Sequence, residues 1–79
     1  MKRFELVGCN HKAVVQEYDP GSAELFSYGT KVATVMLPNA YREDGQPQSN
    51  TTARHMREFF KLYGLPSMTK AELMKLPTL

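Results

Sequence analysis

The sequence predicts an α+β fold: an antiparallel sheet of about four strands, one main helix over residues 51–63 packed on a face of it, and a short helix near the C-terminus. Three observations predict it. Short alternating or apolar runs broken by turn residues crowd residues 4–42. One later stretch, Ser49–Leu65 (SNTTARHMREFFKLYGL), carries an apolar stripe at helical spacing with signals at both ends. Thr69 and Glu72 then stand at capping-box spacing ahead of Ala71, Leu73, Met74 and Leu76.

Taken in order, Phe4–Val7 predicts a first strand that ends in a turn at Gly8-Cys9-Asn10. Ala13–Tyr18 predicts a second, with Val14, Gln16 and Tyr18 on one face and Val15 and Glu17 on the other. Asp19-Pro20-Gly21-Ser22 is a turn in which Pro20 presets φ and Gly21 permits a positive φ. Ala23–Tyr28 then completes a hairpin. Gly29 marks either a bulge or a tight turn before the run Thr30–Leu37, which Pro38-Asn39 closes. Tyr41-Arg42 reads as a brief further pairing ahead of Asp44-Gly45, and Gln46–Asn50 as a polar connector.

In the main helix, Asn50, Thr51 and Thr52 are the cap candidates. Thr52, Met56, Phe59, Phe60 and Tyr63 share one face, with Ala53 at its edge. Gly64, Leu65 and Pro66 predict a Schellman stop, and Lys61 suits the negative end of the helix dipole. Leu73 and Met74 of the short C-terminal helix need an apolar partner: the sheet, the main helix or another protein.

The chain has 79 residues, room for a single domain spanning 1–79. Four Phe and four Tyr, without Trp, supply a modest core. A net charge of +2 does not by itself imply nucleic acid, so clustering must carry that case. The single Cys9 rules out an internal disulfide and fits a reducing compartment. No run approaches the ~20 apolar residues of a membrane span, and no targeting segment stands out. The expectation is a cytoplasmic protein.

Catalytic and metal chemistry find little support. Cys9, His11 and His55 are three scattered ligand types where a structural zinc site takes four, usually in paired spacings. No G-x-S-x-G elbow, phosphate-binding glycine loop or group to orient His55 is evident. The expectation is a non-enzyme without metal or cofactor.

What the helix offers instead is charge. Its first charged residues are Arg54 and His55, where a helix start favours Asp or Glu. The hydroxyls of Thr51 and Thr52 with these two side chains make a candidate anion site. Arg54, Arg57 and Lys61 fall within about 60° of one another, a basic stripe opposite the apolar one. The plainer reading is a solvated face on which Arg54 reaches Glu58, an interaction of about 0.2–0.5 kcal/mol. For Ser27, Tyr28 and Thr30 the plain reading is local hydrogen bonding around Gly29. The sharper one has Tyr28 and His55 lining a shared pocket.

The run Leu25–Ala33 (LFSYGTKVA), followed by Ser49–Met56 (SNTTARHM) and Phe59-Phe60, resembles a family of small bacteriophage and prophage proteins of uncharacterised function. Its pattern is S-Y-x-T-x-V-A, a variable segment, then S-x-T-T-x-x-H and a hydrophobic helix. The resemblance covers roughly Glu24 to Gly64. It implies a compact domain of the host bacterial cytoplasm and supplies no activity. The variable segment here, with Pro38 and Pro47, departs from the family's, which leaves the pairing around Tyr41 open. The functional expectation is an accessory protein that binds a host or phage protein and modulates it. The alternative is a nucleic-acid or phosphate binder using Thr51, Thr52, Arg54, His55, Arg57 and Lys61. A homodimer is one way to cover Leu73, Met74 and Leu79.

Overall fold

The structure is a computed structural model and describes residues 1–6 and 12–79. Five strands, β1 (Lys2–Glu5), β2 (Ala13–Asp19), β3 (Ser22–Ser27), β4 (Thr30–Met36) and β5 (Asn39–Arg42), precede two helices, α1 (Asn50–Leu62) and α2 (Lys70–Leu73). The strands form one antiparallel meander in the order β1-β2-β3-β4-β5. The α+β expectation holds, with Asn39–Arg42 a full fifth strand whose Tyr41 pairs with Thr34. The predicted turn at Gly8-Cys9-Asn10 lies outside the described residues, as do Val7 and His11.

Each hairpin has a local cause. Pro20-Gly21 joins β2 to β3, with Gly21 at φ +105°. Tyr28-Gly29 joins β3 to β4 between the paired Ser27 and Thr30, with φ of +52° and +82°. Two positive central angles make this the primed turn that matches strand twist, so Gly29 serves a tight turn. A register shift also falls nearby: Leu25 faces Ala33 while Phe26 faces Lys31, so Val32 is an extra residue on β4. The strict alternation of β4 breaks there, and Val32, Ala33, Thr34 and Val35 are all buried in succession. Pro38-Asn39 does not end the sheet. Leu37-Pro38 forms the turn, and Asn39 pairs with Met36 as the first residue of β5.

α1 lies across one face, against β3 and β4. Its start is a correction to the cap candidates. Ser49 is the N-cap, its Oγ accepting the Thr52 N–H at 3.1 Å, while Asn50, Thr51 and Thr52 lie inside the helix. Ser49 stands next to the three candidates and is of the same cap-forming type. Choosing among them needs the backbone, which is extended at Ser49 and helical after it. The end is the Schellman motif expected: Gly64 N–H reaches Lys61 C=O and Leu65 N–H reaches Phe60 C=O, with Gly64 at φ +78°.

The core joins Val15, Ala23, Leu25, Val32, Ala33 and Val35 of the sheet to Met56, Phe59 and Phe60 of α1. The rings of Phe59 and Phe60 stand 5.4 Å apart, and Phe59 meets Tyr63 edge-on at the same distance. Tyr63 donates its hydroxyl to the Glu17 carboxylate at 2.7 Å, tying the end of α1 to β2. Burial and the carboxylate both push the Tyr63 phenol up. The capping box of α2 is present, and Leu73 is fully buried in the same core, so Leu73 needs no second chain to cover it. Met74 and Leu79 stay exposed.

Arg42 closes the far edge of the sheet. Its Nε donates to Leu76 C=O at 2.9 Å, its backbone N–H to Pro77 C=O, and it bridges in parallel to Thr78. The C-terminal segment therefore runs alongside β5, a common way to blunt an edge strand. No helix among the described residues is long and apolar enough to cross a membrane.

Candidate functional site

Tertiary structure divides the six residues singled out on α1 into two groups. Thr52 and His55 turn inward. Thr52 is buried, and its Oγ1 accepts from Ser49 Oγ at 3.2 Å. His55 is 4% exposed, and its Nδ1 shares a 2.8 Å hydrogen bond with Ser27 Oγ, itself buried at the end of β3. The tautomer decides which atom donates. Burial, and after it the Arg54 cation, hold His55 below its ordinary value of 6.5, so the ring is neutral near pH 7. The Tyr28 ring stacks over His55 at 6.0 Å, and Lys12 Nζ lies 5.0 Å from the centre of the Tyr28 ring.

The two motif stretches thus meet in space, through Ser27 and His55, 28 residues apart in sequence. Ser27, Tyr28, Thr30 and Thr52 line one polar hollow of about 300 Å³ together with Val32, Gln46 and Gln48. A serine hydroxyl against an imidazole is also the pairing used by activated nucleophiles. Here Ser27 is buried within the strand end, and the only side-chain hydrogen bond of His55 among the described residues is the one to Ser27. The arrangement works as a polar lock between β3 and α1. The sharper of the two readings, a pocket shared by Tyr28 and His55, has the contact between the rings but not the pocket, since His55 does not line the hollow, and neither reading paired Ser27 with His55. The only signal was that Ser27 alternates in phase with Ala23 and Leu25, the core face of β3.

Thr51, Arg54 and Lys61 face outward and Arg57 is half-buried. Arg54, Arg57 and Lys61, with Glu58 and Ser67, line a single groove of about 260 Å³ along α1. The basic stripe is therefore a lined concavity. It adjoins a more apolar hollow of about 400 Å³ between α1 and β1, lined by Phe4, Glu5, Leu6, Glu58, Lys61 and Leu62. Lys61 and Glu58 belong to both. The helix start differs from the anion site expected of it. The Thr52 N–H is taken by Ser49, His55 is inside, and the uncharged first turn leaves Arg54 one turn along.

The sheet face away from α1 carries a second ordered polar set. Arg3 donates to Gln16, Gln16 to Tyr18, and Tyr18 and Lys31 both to Glu24. The Tyr18 hydroxyl, with Lys31, holds the Glu24 carboxyl below the usual carboxylate range. On the same face Thr34 is buried between Glu24 and Tyr41, its Oγ1 without a hydrogen bond. Among the described residues no group of three or more His, Cys, Asp or Glu is placed to hold a metal ion. Cys9 and His11, weighed as ligands with His55, lie outside the described residues.

Fold and surface define the class as a small α+β domain: a five-stranded meander with one helix across it and a lined groove on that helix. Residues 3–75 match a family of unknown function, DUF8033, and the chain belongs to it. No curated protein and no solved structure matches.

Proposed function

We propose that this chain is a small non-catalytic accessory protein of phage type. In this reading it acts in the bacterial cytoplasm by binding an acidic segment of a host or phage protein in the groove along α1. The observation that carries the reading is the gathering of Arg54, Arg57 and Lys61 in one concavity. Clustered cations complement an acidic segment in potential and steer its encounter with the groove. Small size and the resemblance to short phage proteins support the rest.

The test is a triple Arg54→Gln, Arg57→Gln, Lys61→Gln variant compared with the parent for nuclease-treated capture of a defined partner. Arg54 and Lys61 are exposed and Arg57 only half-buried, and substitutions at such surface positions change stability by about 0.5 kcal/mol or less each, so the fold should persist. Loss of capture with an unchanged melting temperature is the expected result. Equal capture by both proteins would remove the groove as the working surface. A phosphate-led interaction with nucleic acid would instead be nuclease-sensitive and weaken linearly in log salt.

A further inference from the structure

The two edges of the sheet are treated differently. β5 is covered by the chain's own C-terminal segment, whereas β1 is the outermost strand and, among the described residues, pairs with β2 alone. Leu6 N–H bonds to Ala13 C=O at 2.9 Å, and hydrogen-bonded pairs recur at every second residue of an antiparallel ladder. Phe4, opposite Val15, therefore turns its backbone groups toward β2, and Arg3 turns its N–H and C=O outward. Side chains alternate as well. Arg3 lies on the open face, bonded to Gln16, while Phe4 and Leu6 lie on the side of α1. There the core is unfinished: Phe4, Leu6 and Leu62 line the 400 Å³ hollow, Leu62 is 53% exposed, and a second hollow continues past Lys2, Phe4 and Tyr63.

We infer that β1 is a dimerisation edge, and that a second copy of this chain pairs with it antiparallel to make a continuous ten-stranded sheet. The occupant follows from the strand's own sequence, Lys2-Arg3-Phe4-Glu5. With Phe4 facing Phe4 of the second copy across the two-fold, Arg3 of each copy stands opposite Glu5 of the other. Two opposite-charge cross-strand pairs then form on the open face. Glu5 is itself engaged within its own chain, and a carboxylate, with about four acceptor sites, accommodates a further cation. On the other face the Phe4 pair sits where antiparallel side chains approach most closely, and Leu62 of both copies closes over it. The register is self-complementary in charge and buries the apolar hollow that the monomer leaves open.

The test is sedimentation of the full chain over roughly 1 μM to 1 mM, the range in which an edge interface of modest area shows its equilibrium. The parent is expected to pass from monomer to dimer. Arg3→Glu and Glu5→Arg each place like charges opposite one another twice, and should each weaken the dimer by roughly tenfold or more. An equimolar mixture of the two restores opposite-charge pairs on both sides and should recover the dimer. Arg3→Pro removes the outward N–H without touching the β2 ladder and should leave a folded monomer, by circular dichroism. A parent that stays monomeric throughout overturns the inference and leaves the hollow to an extended segment of another protein. A dimer indifferent to Arg3→Pro, or not recovered by the mixture, overturns it too.

Discussion

Removing one hydroxyl tests the lock between β3 and α1. In Ser27→Ala the side-chain volume barely changes, but His55 Nδ1 loses its partner while staying buried. An unsatisfied buried polar atom costs about 1–3 kcal/mol. For 79 residues the whole folding free energy is only about 4–12 kcal/mol, so this is a large share. With a urea slope near ~1 kcal/mol/M for a domain this small, the midpoint should fall by about 1–3 M at pH 7.5. A double-mutant cycle with His55→Ala should show coupling of about 0.5–3 kcal/mol. The pH dependence has a definite sign. The folded ring is held below 6.5, so below that pH the unfolded chain takes up a proton that folded His55 resists. Stability present above pH 6.5 is lost as pH falls through the folded value, and His55→Gln should remove that part of the slope. Glu24 and Glu72, both held below 4.5, act lower, their stabilisation lost as pH falls beneath the carboxylate range. An unchanged urea midpoint in Ser27→Ala, or a slope between pH 7.5 and 5.5 that survives His55→Gln, would refute the lock.

Three other changes probe the elements that hold the groove in place. Ser49→Ala removes the N-cap and should cost about 1 kcal/mol by thermal or urea melts, more than Asn50→Ala, since Asn50 is not the cap. Gly64→Ala should cost about 1–2 kcal/mol by the same melts. A Cβ there meets nothing within 4 Å, so the cost comes from the positive φ alone. Phe59→Ala empties the centre of the core between Phe60 and Tyr63, and at about 3–5 kcal/mol should leave a chain whose cooperative near-ultraviolet transition is lost or close to it.

By itself the sequence determined what depends on neighbours along the chain. The alternation of β2, the turn at Pro20-Gly21, the apolar stripe of α1, its Schellman stop and the capping box of α2 all follow from local sterics and hydrogen bonding, and the structure has each of them. The basic stripe was legible for the same reason, because helical spacing alone places Arg54, Arg57 and Lys61 together. Contacts between distant segments had to wait for the fold. Nothing near Ser27 says that it meets His55, nor does anything near Arg42 say that it holds Leu76 and Pro77, because both depend on how the helices return to the sheet. Burial then decided chemistry: the same imidazole that looks like an exposed cation beside Arg54 in sequence is a neutral group in the core, since desolvation opposes its charge.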